Sequence, residues 1–107
     1  EEAFSQEPRV RLQRHNPDCT RNYQYFPVII ESEALMMEVK RRLNEHDIYP
    51  RRYFHPSLDT LDYIEPPQVM PVSRSVASRI LCLPLSDSLS IEDQNRIIRI
   101  VKEVLHA

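Results

Sequence analysis

The hydrophobic positions of this chain follow two spacings, one typical of strands and the other typical of helices. Aromatic and β-branched residues crowd into Tyr23–Ile30, and Ile80–Leu85 is a continuous apolar run, so both segments are predicted strands. After Ser32 and Ser90, apolar residues recur three and four positions apart, which predicts two amphipathic helices. The pattern also predicts an extended segment at Ile48–Phe54 and a short helix at Val72–Arg79.

The predicted order is strand, helix, strand, short helix, strand, helix, which indicates an α+β fold. We expect a small sheet of about three to four strands covered by helices. Pro27 cannot donate a ladder hydrogen bond, so the first strand is predicted to lie at a sheet edge or to carry a bulge. Its two faces are both apolar, which predicts cover on each side.

The first helix is predicted to begin after the N-cap Ser32 and to end near Glu45. Glu38 and Arg42 are spaced for an ion pair worth a few tenths of a kcal/mol, whereas burying one apolar side chain contributes about 1.5–3 kcal/mol. The burial of apolar side chains, rather than ion pairing, is therefore expected to stabilise this helix. The apolar positions expected to face the core are Leu35, Met36, Val39 and Leu43 in this helix, and Ile97, Ile98, Ile100, Val101, Val104 and Leu105 in the last one.

Two segments lack a clear periodic pattern. Residues 1–21 are polar and irregular, and we predict that they form a linker or tail, with residues 22–107 as the folded domain. Residues 56–71 are punctuated by prolines, with Pro66 and Pro67 as the stiffest point. The side chains expected to anchor this second segment are Leu58, Leu61, Tyr63 and Ile64.

Composition excludes several classes of function. The chain has 107 residues and no glycine, so a glycine-rich phosphate loop cannot lie within it. A net charge of −2 gives no basic face for nucleic acid. No apolar run is long enough to span a membrane, and the amino terminus has no signal-peptide core, so we expect a cytoplasmic protein. Cys19 and Cys82 stand alone, which predicts neither a disulfide nor a zinc site.

No catalytic constellation is complete in this sequence. The two lysines, Lys40 and Lys102, lie on the polar sides of predicted helices, where a lysine is usually a solvated charge. The histidines show no metal-ligand spacing, and no serine stands between the glycines of a nucleophile elbow. We therefore predict no catalytic residue and no metal ligand in this chain.

Residues 48–58 hold the one stretch with candidate binding chemistry. In an extended segment Arg51, Tyr53 and His55 would face one way, while Arg52 and Phe54 would face the other. One face would then offer a guanidinium, a phenol and an imidazole to an anionic, hydroxyl-rich ligand. The alternative is that the two arginines merely pair with surface carboxylates.

Three motifs resemble the carboxy-terminal part of the DegT/DnrJ/EryC1/StrS aminotransferases. They are Asn-Tyr-Gln-Tyr-Phe-Pro-Val at 22–28, Pro-Arg-Arg-Tyr-Phe-His-Pro-Ser-Leu at 50–58 and Ser-Arg-Ile-Leu-Cys-Leu-Pro-Leu at 78–85. Their order and spacing are similar to the branch that aminates the 4-keto group of dTDP-4-keto-6-deoxyglucose. The resemblance covers about residues 22–105, and it departs from that branch at His55 and Ser86, where tyrosine is common.

The resemblance implies a pyridoxal-phosphate enzyme whose large amino-terminal domain, with the Schiff-base lysine, is outside this chain. The chain would be the small carboxy-terminal domain, inactive and without cofactor by itself. In a homodimeric parent enzyme it would help to enclose a sugar nucleotide, with glutamate as the amino donor. By this analogy Arg51, Tyr53 and His55 are the candidate substrate contacts, followed by Arg52. A free-standing, non-enzymatic module that binds a ligand or dimerises is the alternative.

Overall fold

A three-stranded antiparallel sheet and three α-helices make up the computed structural model, which describes residues 1–22 and 24–107. The sheet order is β1-β2-β3. This confirms the predicted α+β class. The strands are β1 (Val10–Leu12), β2 (Phe26–Ile30) and β3 (Ile80–Leu83), the helices are α1 (Glu33–Glu45), α2 (Pro71–Arg79) and α3 (Ile91–Leu105), and short 3-10 turns lie at Glu2–Phe4 and Leu58–Thr60.

Strand β1 lies in the segment for which the sequence predicted irregular chain. Val10 pairs with Ile30 and Leu12 pairs with Val28, so this prediction is wrong for β1. It is also wrong for Phe4, which is buried in the core. A three-residue strand is too short to show an alternating pattern and depends on its partner. A division of the chain at residue 21 stays a prediction.

Pro27 occupies the middle strand of the sheet, so the prediction of an edge strand is wrong. The proline causes no loss of pairing because β1 ends at Leu12, opposite Val28. The N–H of Glu31 donates to Arg9 O on the β1 side at 3.0 Å, and alternation along the strand turns the nitrogen of Pro27 the same way. On its other side Pro27 pairs with Cys82. The predicted start of this strand at Tyr23 lies outside the described residues.

Both long helices begin at the predicted serine caps. Ser32 Oγ accepts the Leu35 N–H and Ser90 Oγ accepts the Asp93 N–H, each at 3.1 Å. The predicted pairing of Glu38 with Arg42 is wrong. Glu38 pairs with Arg41 instead, while Arg42 turns toward Glu45 and toward Glu103 of α3.

The core lies between α1, α3 and one face of the sheet. Each buried aliphatic side chain contributes about 1.5–3 kcal/mol, so this cluster holds the domain together. None of the helices in the described part of the chain is long and apolar enough to cross a membrane. The core includes Val28, Ile30, Leu81 and Leu83 from the sheet, Met36, Val39 and Leu43 from α1, and Ile97, Ile100, Val101, Val104 and Leu105 from α3.

Two predictions about the intervening segments are wrong. Residues 48–54 do not form a strand, since Arg51 alone pairs with β3 and a turn follows at Tyr53 and Phe54. Leu58 and Tyr63, which were predicted anchors, are 72% and 77% exposed. The other two predicted anchors, Leu61 and Ile64, are half-buried.

Candidate functional site

The turn after α1 directs the chain toward the candidate site. Ile48 N–H donates to Leu43 O at 3.0 Å and Asp47 N–H donates to Asn44 O at 3.1 Å, which is the hydrogen-bond pattern of a Schellman motif. Such a motif needs one residue with positive φ, usually glycine. The chain contains no glycine, and at this position it is Asp47 that takes the conformation, with φ of 60°.

Arg51 is held by its backbone at the open edge of β3. Its N–H donates to Cys82 O at 3.0 Å and its carbonyl accepts the Cys82 N–H at 2.9 Å. The preceding Pro50 is buried, which fixes the approach. The Arg51 side chain is exposed and forms no ion pair with any residue in 1–22 or 24–107. A positioned guanidinium that keeps its donors free suits an anionic ligand.

Three aromatic rings form one wall beside Arg51. The ring of Tyr25 lies 5.4 Å from that of Tyr53 and 5.6 Å from that of Phe54, the second pair being edge-to-face. Each such pair contributes about 0.5–1.5 kcal/mol. The predicted alternation of Tyr53 and Phe54 to opposite faces is wrong, because the turn brings both rings onto Tyr25.

A cavity of about 320 Å³ opens at the sheet end where β2 begins and β3 ends. Its lining includes the polar residues Gln24, Tyr25, Tyr49, Arg51, Tyr53 and Ser86. This volume lies at the lower end of the range for small-molecule sites. The cavity therefore combines one cation, three phenols, an amide and a hydroxyl around a space that can hold part of a polar ligand.

Cys82 also lines this cavity and serves as a neutral wall. Burial raises the pKa of its thiol, so the thiolate form that acts as a nucleophile is disfavoured. Both cysteines are free in this structure. Covalent chemistry at Cys82 is therefore not favoured by its surroundings.

The structure brings together two of the four candidate residues. Arg51 and Tyr53 line the cavity, whereas exposed His55 lies beyond its lining. Arg52 turns toward α1, where it lies 3.5 Å from Glu33 and 3.7 Å from the sulfur of Met37. Its Nε is buried without a hydrogen-bond partner among the described residues.

The residues of this chain do not fit a complete pyridoxal-phosphate site. That cofactor needs a lysine amine in a pocket, and neither Lys40 nor Lys102 lines the cavity at Arg51. Across the described ranges, no cluster of histidine, cysteine and acidic residues could hold a metal ion. We therefore derive no reaction step through the cofactor from this chain.

Among the cavity-lining residues that were not predicted contacts, three carry hydroxyl groups. Tyr25 lies in the first motif of the resemblance, Ser86 follows the third and Tyr49 precedes the second. Adjacency to all three motifs was a signal that could have found them. The motifs meet in space because β2 and β3 pair and Arg51 bonds to β3.

Known proteins resemble this chain in both sequence and fold. The model of the DegT/DnrJ/EryC1/StrS aminotransferase family matches residues 1–102. A dTDP-4-amino-4,6-dideoxy-D-glucose transaminase from Shigella dysenteriae is 33% identical over 88 residues, covering 78% of this chain and 24% of that relative. A protein of the same name from Escherichia coli is 27% identical over 92 residues, covering 79% of this chain and 25% of that relative.

The fold is similar to that of a solved aminotransferase from Streptoalloteichus hindustanus. The TM-score is 0.85 at 23% identity, and the match covers 98% of this chain and 28% of the other. At this identity the likeness concerns the fold alone. The chain thus spans about a quarter of the length of the curated relatives that it matches.

Proposed function

The chain belongs to the DegT/DnrJ/EryC1/StrS aminotransferase family, and from that premise we propose that it acts as the small carboxy-terminal domain of a sugar-nucleotide aminotransferase. The match of the family model to residues 1–102 carries this proposal. The substrate class follows from the two relatives named as dTDP-4-amino-4,6-dideoxy-D-glucose transaminases. The parent enzyme would exchange an amino group between glutamate and dTDP-4-keto-6-deoxyglucose, in the cytoplasm and as a homodimer.

The role of this chain is to bind and enclose the sugar nucleotide. Arg51 would hold a phosphate oxygen, because its guanidinium is free and planar and stands at a cavity mouth. Tyr53 would donate its hydroxyl hydrogen to the substrate, and His55 would contact it as the pocket closes. Arg52, which faces Glu33, would act as a secondary contact.

Pyridoxal phosphate would provide the electron sink for amino transfer when bound in the parent enzyme. The residues that hold it would lie outside this chain, since neither lysine here is suitably placed. A gene that encodes a lysine after a strand, together with a glycine-rich turn, outside residues 1–107 would support this division of labour.

The intact gene product provides the direct test. We expect visible absorption from bound pyridoxal phosphate that borohydride abolishes, together with amino transfer from glutamate to the keto-sugar nucleotide. A product that lacks both properties would leave the non-enzymatic binding or dimerisation module as the function.

Arg51→Ala tests the binding role of the cavity. Loss of a hydrogen bond to a charged group costs about 1.5–3 kcal/mol, so KM for the sugar nucleotide should rise about ten-fold or more while KM for glutamate stays unchanged. The backbone pairing with Cys82 remains in this variant. Arg99→Ala, at an exposed position on α3, is the matched control and should change neither constant. Equal rises in both constants for Arg51→Ala would contradict the assignment.

A further inference from the structure

The loop between Pro56 and α2 turns one carboxylate and one hydroxyl inward, while several of its apolar side chains are turned outward. The side chain of Asp59 is 6% exposed, whereas that of the preceding Leu58 is 72% exposed. This is the reverse of the usual surface loop. The exposed apolar side chains are Leu58 at 72%, Tyr63 at 77%, Val69 at 69%, Met70 at 49% and Val72 at 76%, and we call them the apolar loop surface.

A network of hydrogen bonds holds the two ends of the loop together. Asp59 accepts from Ser57 Oγ, from the Met70 N–H at 2.8 Å and from Arg74 Nε at 2.6 Å. The Ser57 hydroxyl also lies 2.6 Å from that of Ser73. These bonds hold the start of the loop beside the first turn of α2. Met70 takes part through its own N–H, and Leu58 and Val72 are adjacent in the sequence to residues that take part. The apolar loop surface is therefore built on a fixed support.

The charged side chains of this loop are all acidic. Between Arg52 and Arg74 the sequence has three carboxylates and neither lysine nor arginine. Asp59 is paired with Arg74, but Asp62 and Glu65 form no ion pair with any residue that the structure describes. A surface of this kind suits a partner with an apolar centre and a basic rim.

We propose that the apolar loop surface packs against the part of the parent enzyme that lies outside residues 1–107. This inference rests on the proposed function. The curated relatives are about four times longer than the matched region, so a parent of their size supplies the large body that such a surface needs. The loop also continues directly from the aromatic wall at Tyr53 and Phe54, which would place the interface beside the candidate cavity.

Two methionines of this chain allow a test inside one molecule. Met70 on the apolar loop surface is 49% exposed and Met37 on α1 is 43% exposed, so by this structure alone they should oxidise at similar rates. We would treat the intact gene product with hydrogen peroxide and follow both rates by peptide mass spectrometry. The same protein in denaturant gives the reference rate for each methionine.

The expected result is that Met70 in the native enzyme oxidises at least ten-fold more slowly than Met37, each relative to its denatured rate. This ratio should be independent of protein concentration, down to concentrations at which subunits separate. Equal rates would overturn the interface, and the enzyme's amino transfer and cofactor absorption would show whether the proposed function stands. Protection that vanishes on dilution would also overturn the proposal, because a second copy would then cover the surface.

A pair of variants gives an independent readout. Leu58→Gln removes an apolar contact from the proposed interface, and Ile91→Gln changes a comparably exposed residue, at 69%, on α3. In the intact enzyme we expect Leu58→Gln to lower the unfolding midpoint by roughly 3 °C or more and Ile91→Gln to leave it unchanged. An unchanged midpoint for Leu58→Gln would count against the interface.

Discussion

The two adjacent arginines, Arg51 and Arg52, have different surroundings in this domain. Arg51 presents a free guanidinium at a cavity, while Arg52 turns back to Glu33 at the start of α1. The sequence predicted that the two arginines face opposite sides, but it could not show that only Arg52 would lie beside a carboxylate. Glu33 lies 19 positions before Arg52 in the sequence, and only the fold brings its carboxylate beside that guanidinium.

Asp59 carries a pH dependence that follows from its hydrogen bonds. Its pKa is lowered from 3.8 to about 2, chiefly by the Ser57 hydroxyl, with further contributions from the Met70 N–H and Arg74 and with burial opposing them. The unfolded chain therefore binds this proton more tightly than the folded chain. The stabilisation by ionised Asp59 should be complete above pH 3.8 and should disappear as the pH falls through about 2.

Carbon chemical shifts of the carboxyl groups would measure this titration directly. We expect Asp59 to titrate near pH 2, and we expect Ser57→Ala to raise its pKa toward 3.8 because the largest stabilising hydrogen bond is lost. An unchanged Asp59 pKa in the variant would contradict the network.

At the scale of elements, predictability follows the range of the interactions that form each element. The caps of α1 and α3 use neighbouring residues, so Ser32 and Ser90 predicted both starts. Strand β1 and the bridge at Arg51 are held by partners far along the chain, and neither was predicted correctly. The cavity depends on the Arg51 bridge and on the pairing of β2 with β3, which are also long-range, and this explains why only part of its lining was predicted.

The end of α1 offers a prediction about backbone strain. Asp47 has φ of 60°, a conformation that costs a residue with a Cβ more than it costs glycine. We expect Asp47→Gly to raise the free energy of unfolding by about 0.5–1 kcal/mol and Asp47→Val to lower it by about 1–2 kcal/mol. Urea-induced unfolding measures both values.

Asp62→Gly is the matched control for this prediction. Asp62 is an exposed loop aspartate without a positive φ, so glycine there should lower the free energy of unfolding by about 0.4–1 kcal/mol through the entropy of the unfolded chain. Opposite signs for the two glycine substitutions would confirm that the conformation, rather than the loss of a carboxylate, sets the effect.

At the scale of the whole molecule, the amino-terminal segment closes the fold against the last helix. Arg9 donates to Leu105 O at 2.8 Å, and the ring of His106 lies 2.7 Å from the carboxylate of Glu7. Phe4 adds its ring to the core at 4% exposure. The first residues of the chain thus contact its last helix and its core.

Phe4→Ala measures how much this closure contributes. A buried phenylalanine loses about 3–5 kcal/mol of stability on truncation to alanine, and Phe4 should lie at the lower end because it also borders an open cavity. Phe54, which is 45% exposed and touches Tyr25, should lose only about 0.5–1.5 kcal/mol as Phe54→Ala. Urea-induced unfolding of both variants provides the comparison. A smaller loss for Phe4→Ala than for Phe54→Ala would mean that the amino-terminal segment contributes little to the stability of the domain. A larger loss is the result expected from the 4% exposure of Phe4 against the 45% exposure of Phe54, and it would establish that the core extends to the fourth residue.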